Sequence, residues 1–592
     1  MYEPPRRRLY RRVCSDNFMA LVLCDERRQL LATGGHILVR GGAGSGKTTI
    51  SLAKASVELI AGGLGSDGKA LFLSFARATV ARVAQQAVGT LSREHFRRIE
   101  INTYHGFAWS ILKSHAYLLC ARRGVSLLLP AQARGRLAGL DGAERLARQR
   151  QLFDEEGLIA FDLFPALLTE LLNRLPLLAK AYANAYPLII VDEFQDTNSD
   201  EWAMIEQLGR HSRIIALGDP KQRIYDFKGA DPRRFDEFTA AFKPTEFDFK
   251  GENRRSAGTR ITDFADHLLT GVFDAEPYAG VTVVRYPDTR FRGMSLSPLK
   301  QTILSKAGRL RRGGGDWSLA VLVPANALAA SVFDYMEKAE HRLPSYPVDI
   351  LVSAEGPMLA ADLIALLLEP RDPMESRGAL VLEALGAFEL GKSEAATKGA
   401  ITNAARFRAL AIRARAAGDA ALRSLVIGRG VEELLQKAEE LTLSGDPLND
   451  WLAIRRLLDE STRSEIKAVG KEARHMRLLH RGTKIESLLA EAWRSQGCYR
   501  NARSLLAAAV VEDQFTATTR PQRGVTVMTI HKAKGKEFDE VIVFEGMYQR
   551  YLQRLDAEGH RSARYNLHVA VTRARSAVTI MTPEVNPSVL LP

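Results

Sequence analysis

The run Gly41-Gly42-Ala43-Gly44-Ser45-Gly46-Lys47-Thr48 constrains this chain most, because it functions only between a strand and the helix that follows it. It fits GxxxxGK[ST]. Its glycines let backbone N–H groups close around phosphate oxygens, Lys47 can reach β- and γ-phosphates, and the Thr48 hydroxyl can hold Mg²⁺. The context is present: His36–Arg40 leads in as a short apolar strand, and TTISLAKASVELI continues as a helix. A second element suits the first. Pro187–Val191 is an apolar strand that ends in Asp192-Glu193-Phe194-Gln195-Asp196-Thr197. One carboxylate at that strand end suits the metal, and the next can polarise an attacking water.

Other short apolar runs lack polar alternation and read as buried strands of parallel sheets. In the first half they are Ile37–Val39, Ala70–Leu73, Leu188–Val191 and Ile214–Leu217. Val281–Val284, Leu319–Val323, Val525–Met528, Val541–Phe544 and Val578–Met581 follow in the second half. The expectation is an α/β fold written twice: two P-loop NTPase lobes, each interrupted by a Leu/Ala/Arg-rich helical insertion. The first lobe covers 1–113 and 181–256 around an insertion at 114–180. The second covers 257–385 and 511–592 around an insertion at 386–510.

At 592 residues, several cores are expected. The formal charge of +13 makes a polyanion the first partner class to consider. That charge is concentrated in residues 1–12, with five Arg against one Glu, and in 391–510, with 21 basic against 14 acidic residues. Cys14, Cys24, Cys120 and Cys498 are too few and scattered for a disulfide framework or a zinc site. No run approaches a membrane span, and MYEPPRRRLYRR lacks a signal peptide's apolar core, so a cytoplasmic location is expected.

Eight motifs in order make the chain resemble the UvrD/Rep-like helicases of superfamily 1 from Gln29 to about Arg575. They are GAGSGKTT (42–49), LSFARA (73–78), TYHGFA (103–108), DEFQDT (192–197), GDPKQRIYDFKGA (218–230), NRRS (253–256), TIHKAKGKEFDEV (529–541) and HVAVTRAR (568–575). The resemblance implies two RecA-like lobes with ATP and Mg²⁺ between them. Gln29 stands where the family reads adenine. Gly42, Ala43, Gly44, Ser45, Gly46, Lys47, Thr48 and Thr49 would cradle the phosphates, and Gly535 and Glu537 would meet ribose and phosphates. Thr48 and Asp192 would hold the metal, and Glu193 would activate water. Gln222 would sense the γ-phosphate, which Arg255 and Arg573 would reach from the lobe junction and the second lobe. Phe75, His105, Tyr225 and Phe227 are stacking candidates for DNA bases, and Thr103, Thr529 and His531 are further candidate contacts to the strand. Stacking is sequence-tolerant, which suits a motor that steps along any sequence.

The chain departs from the family pattern in places. Arg254 stands where a tyrosine commonly stacks on adenine, Ala76-Arg77 replaces Thr-Asn, and Phe227-Lys228 replaces Trp-Arg. The resemblance implies an ATP-dependent DNA helicase or translocase acting 3′-to-5′ on single-stranded and tailed duplex DNA. The compact second insertion, and the short stretch after Arg575 with no room for a fused nuclease, also fit another expectation. This is a DNA-activated ATPase serving a partner nuclease, as in the helicase component of Gabija-type phage-defence systems.

Overall fold

The computed structural model describes residues 24–592 except 43, 76, 121–123, 130–131, 134–135, 138–139, 141, 223–230, 232, 250–254, 288–295, 352–354, 373, 393–396, 424, 475–483, 516–522 and 547–560. Ala43, Ala76, Tyr225, Phe227, Lys228, Arg254 and the basic arm 1–12 therefore lie outside the described residues.

The first lobe contains strands β1 (Ile37–Gly41), β2 (Ala70–Ser74) and β3 (Ile99–Thr103). Strands β4 (Ser126–Leu128) and β5 (Leu158–Ala160) form a separate parallel pair, after which β6 (Leu188–Val191), β7 (Arg213–Gly218) and β8 (Thr245–Phe249) return to the first sheet. That sheet runs β3-β2-β6-β7-β1-β8, with every neighbouring pair parallel. The second lobe repeats the design. Strands β9 (Val281–Tyr286), β10 (Ser318–Val323), β11 (Asp349–Leu351), β12 (Gly524–Thr529), β13 (Phe538–Phe544) and β14 (Ala574–Pro583) run β11-β12-β10-β13-β14-β9, again all parallel.

Continuous apolar sequence produces this architecture because a central parallel strand is covered on both faces. Strands β2, β6 and β10 are buried at every position. Strand β13 shows how the two faces divide. Val541 and Val543 pack with Phe264 and Leu567, while Ile542 and Phe544 pack with Leu299 and Ile303. Each such side chain contributes about 1.5–3 kcal/mol on burial. The carboxyl ends of β1, β6 and β7 deliver Gly42–Lys47, Asp192 and Asp219, where parallel sheets place ligand groups.

The chain forms two compact units. One holds both sheets: residues 1–112, 165–352 and 517–592. The other gathers 113–164 with 353–516, so the two helical excursions share one unit. Its second segment begins at Ser353 instead of the expected 386, because the helix Glu355–Leu368 already belongs to it. That helix is buried at Met358–Ala361 and Leu363–Leu368, with Asp362 half-buried between them, and packs on Arg377–Gly391, Pro447–Glu460 and Ser464–Ala473. A helix with so wide an apolar face has to be a core helix. Residues 165–180, expected in the first insertion, fall in the sheet-bearing unit.

Candidate active site

The phosphate loop takes its shape from glycines. Gly44 and Gly46 have φ of 75° and 84°, a region that costs other residues about 1–2 kcal/mol. A Cβ on Gly41 would lie 2.7 Å from Ser45 Oγ. Lys47 opens the helix Lys47–Ile60, and its Nζ donates to the Gly41 and Gly42 carbonyls, the latter at 3.0 Å. Ser45 Oγ is buried without a protein partner, which leaves a hydroxyl within the loop for an anion. Two helices brace this loop. Gln86 Nε2 donates to Thr49 Oγ1 at 2.7 Å, and buried Arg27 donates Nη2 to the Ser45 carbonyl at 2.8 Å. The Arg27 guanidinium also lies over the Phe249 ring at 5.0 Å. Gln29, on the same helix as Arg27, is exposed; Arg27 is the residue of that helix that touches the loop.

Asp192 is buried at the end of β6. Burial, and then the adjoining Glu193 carboxylate, raise its carboxyl above the usual range, with Arg82 and Lys47 opposing. Glu193 has φ 55°, a left-handed conformation held by its surroundings at a cost of order 1–3 kcal/mol. Its Oε2 accepts from Gln195 Nε2 at 2.7 Å. Burial alone would raise Glu193, yet Lys534, Lys47 and Arg573 hold it below the ordinary value. Glu193 is therefore ionised and surrounded by cations. Asp192 and Thr48 offer hard oxygen donors. Among the described residues, no group of three or more His, Cys, Asp or Glu side chains forms a metal site. That donor set fits Mg²⁺, which keeps several waters and shares its shell with phosphate oxygens.

The second lobe reaches into these groups. Buried Gln222 donates Nε2 to Asp219 Oδ2 at 2.7 Å and accepts at Oε1 from Arg573 Nη2 at 2.6 Å. Gln195 Oε1 accepts from the Asp219 amide at 3.0 Å, so hydrogen bonds run from Glu193 through Gln195, Asp219 and Gln222 to Arg573. Lys534 forms an ion pair with Asp196, lies 3.9 Å from Glu193 and donates to the Gln222 carbonyl at 2.8 Å. Next to it, Gly535 has φ 78°. Arg255 donates to the Thr572 carbonyl at 2.9 Å and to Glu537 Oε1 at 2.8 Å. Glu537 also pairs with Arg82 at 2.5 Å and Arg575 at 3.5 Å. Burial would raise the Glu537 carboxyl, but Arg255, Arg82 and Arg575 pull it down to about 2.

The strand-contact expectations receive mixed placements. Phe75 is half-buried, its ring 4.5 Å from that of Tyr104, whose hydroxyl donates to the Asp192 carbonyl at 3.3 Å. Thr103 Oγ1 accepts from the Gly106 amide at 2.9 Å and so caps the helix Tyr104–His115. His105 and His531 are half-buried, while Thr529 is buried at the end of β12. Sequence reasoning overlooked Arg27, Arg82, Tyr104, Gln195, Asp219 and Lys534 as parts of this site. Tyr104, Gln195, Asp219 and Lys534 lie within quoted motifs, and Arg27 lies two positions before Gln29. Arg82 has no local signal at all.

Comparison with known proteins points to one family over parts of the chain. Residues 24–154 and 141–243 match the UvrD/REP helicase N-terminal domain, and residues 524–581 match the UvrD-like helicase C-terminal domain. ATP-dependent DNA helicase UvrD1 of Mycobacterium tuberculosis is 25% identical over 290 residues, 39% of this chain and 37% of that protein. ATP-dependent DNA helicase Rep of Escherichia coli is 26% identical over 280 residues, 40% and 41% respectively. RecBCD enzyme subunit RecB of M. tuberculosis is 26% identical over 291 residues, covering 48% of this chain and 25% of RecB. The matched part thus spans well under half of each relative.

Proposed function

We propose that this chain, whose residues 24–243 and 524–581 match the N-terminal and C-terminal helicase domains of the UvrD/Rep family, is an ATP-driven motor that moves 3′-to-5′ along single-stranded DNA and opens tailed duplexes. One observation carries most of the weight: second-lobe Arg573 and Lys534 hold the first-lobe groups Gln222 and Asp196. Cations delivered by a second lobe make hydrolysis depend on closure, since they neutralise charge only when the lobes meet.

The residues divide the work. The loop amides from Gly42 to Lys47 and the Lys47 ammonium bind the phosphates, and Thr48 and Asp192 would hold Mg²⁺. That ion, when bound, neutralises phosphate charge. Glu193, ionised and held by Gln195, takes the proton of the attacking water. Gln222 and Arg573 act together on the phosphoryl group, with Arg255 added from the lobe junction. Phe75 on Tyr104, with Tyr225 and Phe227, grips bases by stacking.

The test is ATP hydrolysis with and without single-stranded DNA for wild type and Glu193→Gln, followed by unwinding of 3′- and 5′-tailed duplexes. Wild type is expected to be DNA-stimulated, and Glu193→Gln to lose about 10²–10⁴ in rate. Unwinding of 5′-tailed substrates alone would overturn the direction. The likeness to RecB, named as an enzyme subunit, supports a second reading in which the chain is a DNA-activated ATPase serving a partner nuclease. Robust unwinding by the isolated chain would count against it.

A further inference from the structure

Arg82 stands outside every motif that marks the nucleotide site, yet it lies among that site's charged groups. It projects from the helix Arg77–Thr90 of the first lobe, and its Nη1 donates to Glu537 Oε1 of the second lobe at 2.5 Å. The same oxygen accepts from Arg255 at 2.8 Å, so one carboxylate oxygen joins a first-lobe helix, the lobe junction and the second lobe. Gln86 is one turn further along, and four-residue spacing puts it on the same helix face as Arg82. Its carboxamide holds Thr49 Oγ1, in the first turn of the helix that follows the phosphate loop, at 2.7 Å. The other end of the helix begins two residues after Phe75, which packs on Tyr104 and through it reaches the Asp192 carbonyl.

We propose that Arg82 is a positioning residue for ATP hydrolysis: it holds Glu537 of the second lobe against the first, and its helix carries occupancy of the strand site at Phe75 to that contact. This rests on the reading of the chain as a DNA-stimulated ATPase. Arginine suits the task because its planar fork keeps a fixed geometry against a carboxylate while remaining charged. The side chain retains 35% of its exposure, so it is no part of the apolar core, and alanine is a strong helix former at such a position.

The test uses the full chain as wild type, Arg82→Ala, Arg82→Lys and Glu537→Gln. ATP hydrolysis is followed against ATP concentration, with and without saturating oligo-dT, together with equilibrium binding of a fluorescent ADP analogue and thermal melting. For Arg82→Ala the expected result is a fall of about tenfold or more in the ratio of stimulated to unstimulated rate, the size of one charge-assisted hydrogen bond. KM for ATP should rise, Arg82→Lys should recover part of the ratio, and Glu537→Gln should lose it as well. A wild-type ratio and KM in Arg82→Ala would overturn the proposal while leaving the parent reading intact. A wild type that oligo-dT does not stimulate would overturn both. Should Arg82→Ala melt early, Arg82→Lys decides alone: a ratio no better than that of Glu537→Gln supports a need for the fork, and a full wild-type ratio at raised KM supports a need for charge; an unchanged ratio and KM refutes both.

Discussion

Glu537 is held by three arginines, and its acid behaviour follows from them. Its carboxyl stands at about 2 in the fold against an ordinary value of 4.5. A carboxylate depressed on folding stabilises the native state above its unfolded value, and that contribution fades as pH falls through the folded one. The displacement is worth at most about 3 kcal/mol. Wild type should therefore melt above Glu537→Gln at neutral pH, and the gap should close between about pH 4.5 and 2. A gap independent of pH would mean that the arginines act through packing alone. Gly46 sets a different limit at the same scale. With φ at 84°, Gly46→Ala places a side chain in a left-handed backbone, at a cost of about 1–2 kcal/mol if the loop keeps its shape. The expected outcome is at least tenfold weaker binding of a fluorescent ADP analogue, with the melting temperature little changed. Tight binding by this variant would show that the loop relaxes without loss.

Among the elements, the helix Lys398–Ala417 has no acidic residue and exposes Lys398, Arg406, Arg408 and Arg413. Its inner face is small: Ala400, Ala404, Ala411 and Ala414 flank Phe407, so the helix Arg377–Gly391 can approach closely, with Gly386 against Ala404. Arg415 is held by Glu383, at 2.8 Å for Nη2. Arg406 and Arg413, seven positions apart, share one flank of the helix and Arg408 lies on the other; such cations without acidic neighbours on their own helix fit a phosphate backbone. Replacing Arg406, Arg408 and Arg413 with Glu should weaken duplex binding and flatten its salt dependence by about 0.9 in log–log slope per lost phosphate contact. Single-strand-stimulated hydrolysis should persist, and loss of both would place this helix on the translocating strand instead. The pattern that marked this region as helical is simple periodicity, and the central strands were equally plain because burial on both faces demands unbroken apolar runs. Strands β3, β8 and β11 left no such mark. They are edge strands, and IEINT, TEFDF and DIL carry polar residues toward the uncovered side. Arg27, Arg82 and Lys534 were hidden for another reason: a cation's role depends on which carboxylate or carbonyl the fold brings near it, and the partners Glu537 of Arg82 and Asp196 of Lys534 lie hundreds of positions away, while the Ser45 carbonyl that Arg27 holds lies 18 positions on.

Across the sheet-bearing unit, the contacts that join its lobes at the site are polar. They include Arg573 to Gln222, Lys534 to Asp196, Arg82 to Glu537 and Lys221 to Asp266 at 2.7 Å. Apolar surface would hold two lobes together regardless of ligand, whereas charged groups can change partners when a phosphate enters, and the proposed motor requires that reversibility. Their energies should consequently belong to the set and not to each residue. Gln222 and Arg573 give the clearest case, since Gln222 uses one end of its carboxamide on Asp219 and the other on Arg573. Gln222→Ala leaves a buried guanidinium without that acceptor, and Arg573→Ala leaves the carboxamide oxygen without that donor. Each should lower DNA-stimulated kcat by about 10²–10³, the loss typical of a donor aimed at developing charge. The double variant should then be little worse than the poorer single one, because the second removal takes away a group already disabled. Fold-losses that multiply would mean that glutamine and arginine act on the phosphoryl group independently, and that the bond between them only reports how closely the lobes approach.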